Sequence, residues 1–505
     1  MIKRTFHRLL KNKILFYGIL FGLFFLIAGM VNSEALIHFL NTGNNSLLSI
    51  FSNYYLFVGA FIVVVSLVIL FLPLGKKRLG NKKPEYSYFS WIALLYSTGM
   101  GSGLLLRAVQ EPVYYLNHPP VATANAEVLA LQYTFFHWGF TPWAMYSLFG
   151  LIVAYNLYVR KVPNLLHALV PASNSNYLKN ITIVFIVLIT ITGVIASLGL
   201  GSAQLVGGLN HTFNIELGNY TLLAMVLLIG LIATFSALTG IQKVIKYLAD
   251  FDFGFSILLM LFIALFLDFA PFFSNLFTAM YQYVVHFFEM SLSIGGYETS
   301  ESFTKEWTVF YWAFWLAWVP FTGIFIARIS KGRTVREFII ATILVPTFAT
   351  LIWFSVFANN AFDILSQSNT GQFDNLYTSL FVFLENYPFY QLTFVIAILL
   401  VFISIINSVD SAVFVLGMLS DNGNENPSKN HKLIWGGIIT ATAFGISASG
   451  TSDLLNAISN LLIIMALPFS LLYLYIICRF FITVVNENSE KQFEDKDYNN
   501  SHHFN

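Results

Sequence analysis

The chain has 505 residues, of which 57% are hydrophobic and 10% charged, with a net charge of +1. Soluble domains carry roughly 25% charged residues, so this composition excludes a soluble globular protein, while the balanced charge says nothing about partners. The only cysteine, Cys478, excludes a disulfide framework and a cysteine-based metal site.

Apolar runs of about 20 residues, the length of a membrane-crossing helix, fall near 14–32, 55–74, 87–108, 128–158, 181–205, 220–240, 252–270, 307–327, 337–358, 388–418, 433–449 and 455–478. They are continuous, unlike the ten-residue alternating strands of a membrane β-barrel. The expected fold is therefore an all-α integral membrane protein with twelve transmembrane helices. A basic stretch, 1–13, precedes the first run as in a signal peptide. Spans continue downstream and no small-residue cleavage site follows, so a retained helix is predicted. Residues 14–85 hold two N-terminal helices, 86–270 spans 3–7 and 306–480 spans 8–12. The apolar segment 271–305 contains His286 and Glu289 and is predicted to form an outer interfacial helix and loop. The tail, 481–505, is polar and mildly acidic and is predicted to be disordered. With both termini inside, every Lys and Arg except Lys305 and Arg107 falls on the cytoplasmic side, as the positive-inside rule requires.

Two features stand out within the spans. Span 3 carries GMGSG at 99–103. Three glycines in five residues weaken a helix and expose backbone carbonyls. Such a stretch either lines a substrate cavity, as in broken-helix transporters, or allows close helix packing. The second feature is aromatic. Wound as a helix, WTVFYWAFWLAWVPF (307–321) places Trp307, Phe310, Tyr311, Phe314, Trp315, Trp318 and Phe321 within an arc of about 140°, with Trp312 at its edge. HWGFTPWAMY (137–146) adds Trp138, Trp143 and Tyr146. Trp307 reads as an interfacial residue and Trp312 as packing. Trp315 and Trp318 lie roughly 12 Å or more inside the span, too deep for an interfacial belt. Their faces form either aromatic core or a box for a quaternary ammonium, each good contact contributing about 2 kcal/mol.

GMGSGLLLRAVQEP (99–112), FHWGFTPWAMY (136–146), SLGLGSAQ (197–204), LTGIQKVIKYL (238–248), the run 307–339 and NSVDSA (407–412) resemble the betaine/choline/carnitine transporter family, over residues 10 to 480. The resemblance implies a LeuT-like core of two inverted five-helix repeats, spans 3–7 and 8–12, behind two extra helices. It also implies alternating access, a homotrimer and a multi-pass place in the cell inner membrane. The implied substrate box is Trp138, Trp143, Tyr146, Phe314, Trp315 and Trp318, with Met100 and Gly103 offering backbone. Most members have tryptophan where Phe314 stands. Choline-type members tend to carry Asp at the position of Gly103, so its absence favours a zwitterion such as glycine betaine.

The implied coupling ion is sodium, and no other cofactor is expected. One sodium site would combine Ser97 and Met100 with Asn407 and Ser408, where relatives have Thr-Ser. The other would use Thr192 and Phe321, with Ala196 standing where Thr is common. Span 7 shows no basic residue near Phe253 to stand in for sodium, as one does in sodium-independent carnitine exchangers.

Arg107 departs most from the family pattern. A buried arginine in a membrane must be paired or face a cavity. It is either the partner of Glu111 or Asp410, or a ligand for the anionic end of a solute. The basic loop 328–336 is read either as ordinary positive-inside charge or as a coupling element that meets anionic membrane lipid. The short acidic tail lacks the basic helix of osmosensing members, so activation through such a helix is not expected.

The expected function is sodium-coupled import of a betaine-like zwitterion. The alternative is a sodium-independent or proton-coupled carrier of a sulfonate or other anionic-headed solute that uses Arg107. A membrane-embedded enzyme is disfavoured because the histidines are scattered and form no HExxH motif. A channel is disfavoured because no charge ring or repeated pore loop appears. Neither nucleic acid nor any soluble domain enters this reading.

Overall fold

The computed structural model describes residues 12–81, 83–99, 102–169, 176–239, 242–367 and 371–502, with backbone alone at 93, 96–99, 176, 178, 242–249 and 488–502. Among them the only secondary structure besides helix is an isolated bridge between Arg78 and Thr334. Seven helices are long and apolar enough to cross a membrane. The chain is thus an all-helical, multi-pass membrane protein.

Helix α1 (Lys13–Phe71) begins where the Asn12 side chain accepts hydrogen bonds from the Ile14 and Leu15 amides. At Asn32 the backbone leaves helical geometry, and Asn32 Oδ1 accepts from the Ala35 amide at 2.9 Å, capping a restarted helix. The predicted spans 14–32 and 55–74 are therefore the two ends of one kinked rod, and the stretch between them is helical. The first half of α1 lies on α15 (Lys429–Ser447) at backbone contact. A Cβ built on Gly29 would lie 1.8 Å from the Gly445 carbonyl oxygen. Only small residues permit that approach, and in lipid such close packing is a main source of helix association.

Span 3 comprises α2 (Tyr88–Gly99), α3 (Gly103–Arg107) and α4 (Gln110–Asn117), with Met100 and Gly101 outside the described residues and a turn at Ala108–Val109 interrupting it between α3 and α4. Span 4 is also discontinuous: α5 (Ala126–Trp138) gives way at Gly139 to α6 (Phe140–Tyr158). Then follow α7 (Asn176–Phe213), α8 (Asn219–Thr239) and α9 (Gln242–Ala264). In the segment predicted to hold an outer interfacial helix, α10 (Phe269–Val285) starts at an Asp268 cap. It exposes Phe269, Phe273, Phe277 and Tyr281 and buries Phe272, Leu276, Ala279 and Tyr283.

The tryptophan-rich run forms α11 (Phe310–Ile329), entered through a π-helical turn at Thr304–Val309. It lies against α6, α7 and α16 (Thr451–His502) and is buried at every residue except Phe314, Phe325 and Arg328. Gly150 meets the Gly323 backbone, and Gly193 meets that of Ala317. α12 (Val335–Gln367), α13 (Ser379–Glu385) and α14 (Tyr390–Ser420) complete the order.

Two cytoplasmic expectations change. The tail predicted to be disordered from 481 is helical to His502 as the end of α16. No Gly or Pro breaks 484–502, and Glu487, Lys491 and Asp495 stand at the i,i+4 spacing that supports a helix. Glu487 also pairs with Arg160 at 2.9 Å. The basic loop is more than surface charge. Leu79 donates to the Arg333 carbonyl at 2.8 Å, and the buried Arg333 guanidinium sits 4.0 Å from the Tyr88 ring and 4.5 Å from that of Trp91. Arg333 is an arginine held by stacking, a role lysine fills poorly.

Glycine-to-alanine changes separate contact from propensity. Gly29→Ala should destabilise the protein by roughly 1–3 kcal/mol through overpacking, lowering its unfolding temperature in detergent. Gly437→Ala, with nothing within 4 Å of the added methyl, should leave it unchanged or slightly raised.

Candidate functional site

The two interrupted spans meet around α11. At Gly139 the chain has room for no side chain, because an added Cβ would lie 2.5 Å from the Phe135 carbonyl oxygen and 2.7 Å from the Tyr283 hydroxyl. Backbone groups released at the break find side-chain partners. The Trp315 indole donates to the His137 carbonyl at 2.9 Å, and the Thr350 hydroxyl to that of Trp138 at 3.2 Å. The Phe140 amide donates to the Tyr283 hydroxyl at 2.8 Å. Away from water each of these groups needs a partner, so the break is anchored to α10, α11 and α12. Pro142 stands in the first turn of α6, where its missing N–H costs nothing.

Below the break lies a fully buried carboxylate, Glu111, on α4. It accepts from the Trp138 indole N–H at 2.9 Å, from the Tyr115 hydroxyl at 3.1 Å and, through a short bond, from the Tyr311 hydroxyl. His137 Nδ1 is 3.6 Å away, its ring stacked on Tyr311. One carboxylate thus joins α4, α5 and α11. The sequence reading gave Glu111 a different part, as the partner of Arg107, and missed its role as organiser.

That role leaves Arg107 in a different position from the one expected if it were paired. Its guanidinium donates to Gln110 Oε1 at 2.6 Å and lies 5.1 Å from the Trp307 ring. Among the described residues no carboxylate is within 4.0 Å of it. Glu111 is occupied by its own donors, and Asp410 bonds Ser236 on α8. The expectation that Arg107 is their ion-pair partner is therefore corrected: it is buried at 7% exposure with one neutral hydrogen bond and one aromatic face. Trp307, read as an interfacial residue, is itself buried and serves as that face.

The six aromatic residues singled out from sequence fall into one connected cluster. Trp138 meets Trp315 edge to face at 5.0 Å, and Tyr146 meets Trp315 in the same way at 6.4 Å. Trp143 adjoins Tyr146 at 5.7 Å. On the other side Phe314 contacts Trp315 at 5.0 Å and stacks on Trp318 at 5.9 Å. The Trp143 and Trp318 indole nitrogens and the Tyr146 hydroxyl are buried with no hydrogen-bond partner among the described residues. A cavity of about 30 Å³ opens beside this cluster, lined by Gly103, Arg107, Trp138 and Phe314, with Ser102, Ala196, Ser197 and Tyr311 among its other walls. That is room for about two waters. A larger solute enters only if aromatic side chains part.

The predicted cation ligands are less drawn together. Met100 lies outside the described residues, as does the side chain of Ser97. Thr192 on α7 and Ser408 on α14 are buried, and each hydroxyl donates to the carbonyl one turn back, at 2.9 Å. Their oxygens keep lone pairs for a cation. Phe321 packs against Trp318 at 5.0 Å, and Asn407 is half-buried beside Ser408.

The sequence is similar to those of known transporters. The family description "BCCT, betaine/carnitine/choline family transporter" matches residues 13–489. The glycine betaine transporter OpuD of Bacillus subtilis is 35% identical over 476 residues, 92% of each chain. A probable glycine betaine transporter of Desulfitobacterium hafniense is 32% identical, covering 92% of this chain and 95% of its own. An ectoine/hydroxyectoine transporter of Virgibacillus pantothenticus is 30% identical, covering 88% and 91%.

Removing the organising carboxylate tests the site's construction. Glu111→Ala leaves two hydroxyls and an indole N–H without their acceptor and should cost about 3 kcal/mol or more, read as a lower unfolding temperature in detergent. Glu111→Gln, which keeps one acceptor oxygen, should lose less.

Proposed function

Because the chain belongs to the betaine/carnitine/choline transporter family, a family of transporters and not enzymes, we propose that it is a secondary transporter importing a betaine-like zwitterion, glycine betaine foremost. The observation that carries this reading is the meeting of two features at one cavity: the aromatic cluster, through Trp138 and Phe314, and a buried arginine that among the described residues has no carboxylate within 4.0 Å. A trimethylammonium group would sit on the faces of Trp138, Trp143, Tyr146, Phe314, Trp315 and Trp318. Its carboxylate would meet Arg107, with backbone at Met100 and Gly103 close by. Charge decides the selectivity. A zwitterion neutralises the arginine, whereas a simple cation such as choline would bring a second positive charge into a site of low dielectric. Glycine betaine and ectoine, the solutes that name the Bacillus subtilis and Virgibacillus pantothenticus relatives, are zwitterions.

Twelve spans in a LeuT-like inverted repeat, both termini cytoplasmic in the cell inner membrane, and a homotrimer are the assembly we propose on the family resemblance. Sodium is the proposed coupling ion, with oxygen donors from Thr192, Asn407 and Ser408, a position at Ser97 and Met100, and the ring face of Phe321. A second reading is favoured by Arg107 alone. A guanidinium binds a sulfonate as readily as a carboxylate, so an anionic-headed solute such as taurine falls within reach.

Uptake into proteoliposomes tests both. Trp315→Ala should weaken betaine transport about 30-fold, the equivalent of about 2 kcal/mol of cation–π energy, and unchanged uptake would sink the aromatic box. Arg107→Ala should lose betaine and taurine transport together. Loss of taurine alone would favour the second reading.

A further inference from the structure

We infer that Asp252 on α9, with Ser404 of α14, forms a proton-binding site through which solute uptake is coupled to the proton gradient. The inference rests on the chain's being a solute transporter, and goes beyond the sodium positions considered above.

Asp252 is the eleventh residue of the 23-residue α9, and Ser404 is near the middle of the 31-residue α14. Asp252 is therefore about 15 Å from the nearer end of its helix and Ser404 about 21 Å from the nearer end of its own, both at mid-membrane depth. The Ser404 hydroxyl lies 3.0 Å from both carboxyl oxygens of Asp252. Among the described residues no Lys, Arg or His nitrogen lies within 4.0 Å of that carboxyl. Phe251 and Phe255, stacked at 4.1 Å, flank it on α9. The other embedded carboxylates are better provided for. Glu111 has three donors, and Asp410 has Ser236 and the nearby Lys432.

Among the described residues no other ionisable group is placed to hold the charge; α2 contributes Tyr88, bonded to Glu337, and the side chain of Tyr96 lies outside the described set. α14 contributes Asp410, turned to α8. α12 contributes Arg336, bonded to the Leu70 carbonyl, Glu337, bonded to Tyr88 of α2, and Asp363 near the far end. On α9 itself Asp250 is exposed, and the side chains of Lys243 and Lys246 are outside the described set. A carboxylate at this depth with one hydroxyl partner is costly as an anion. It holds a proton while enclosed and releases it to water when the path beside α9 opens. The proton moves from water to a carboxyl oxygen on one side and back to water on the other, with no other bond changed. α14 links the pair to the cation region: the Ser404 carbonyl accepts from Ser408 at 2.9 Å, next to Asn407.

The test uses the full chain in proteoliposomes with equal sodium on both sides, so that no sodium gradient drives uptake, loaded with a pH-sensitive dye. For the wild type, an inward proton gradient should drive betaine accumulation, and betaine entry should acidify the lumen. Asp252→Asn should lose gradient-driven accumulation at least tenfold while keeping betaine counterflow exchange, which needs no net proton movement. Asp252→Glu should retain coupling. Counterflow without any proton response in the wild type, or normal proton-driven accumulation by Asp252→Asn, would overturn the proton site alone. Absence of counterflow in the wild type for betaine and taurine would overturn the transporter reading and this inference with it.

Discussion

A single buried carboxylate fixes the geometry on which the site depends. Glu111 receives hydrogen bonds from Tyr115 one turn away on α4, from Trp138 at the end of α5 and from Tyr311 on α11. Without water a carboxylate must be met by donors, and donors of this kind must be met by an acceptor. The requirement therefore works in both directions, drawing together three segments far apart in sequence. Trp138 is held by that bond and by contacts with Tyr311, Trp315 and Phe354, so its ring is presented to the cavity in one orientation.

The same requirement accounts for Arg107. Because Glu111 is committed to Trp138 and the tyrosines, the arginine four residues earlier in the chain has, among the described residues, no acid within 4.0 Å to pair with. Its charge is softened by Gln110 and Trp307, and a full negative charge is what it lacks. On the other side of the cavity the aromatic faces offer negative potential without a formal charge. A zwitterion of betaine type supplies the complement of both. The narrowness of the cavity fits a carrier whose site closes around its solute by side-chain movement.

Much of this was legible in the sequence, for reasons that can be named. Apolar runs marked the long helices because lipid imposes both length and hydropathy. The break predicted at the glycines of 99–103 falls on Met100 and Gly101, outside the described residues, and the turn at Ala108–Val109 that does interrupt span 3 was not read. The break at Gly139 was not read, because the apolar run continues through it and its backbone partners come from α10, α11 and α12. The continuous helix between residues 33 and 54 was missed because its polar composition resembles that of a connection, and the C-terminal extension of α16 for the same reason. Within the site, helical periodicity put Phe314, Trp315 and Trp318 on one face of α11, the six-residue set came from the family resemblance, and its members form a connected chain of ring contacts. Partner choice was less accessible. Which donors meet Glu111 depends on the relative placement of α5 and α11, and sequence proximity favoured Arg107 wrongly. The pairing of Asp252 with Ser404 joins residues 152 positions apart, which no local pattern reveals.

The central claim is that the aromatic cluster recognises positive charge and not merely the shape of a bulky group. Titration calorimetry of the purified transporter with glycine betaine and with 3,3-dimethylbutyrate tests it directly. The latter replaces the quaternary nitrogen by carbon, keeping size and carboxylate while removing the cation. The account predicts that the carbon analogue binds at least tenfold more weakly, in line with cation–π energies of about 2 kcal/mol. Equal affinity for the two would contradict it.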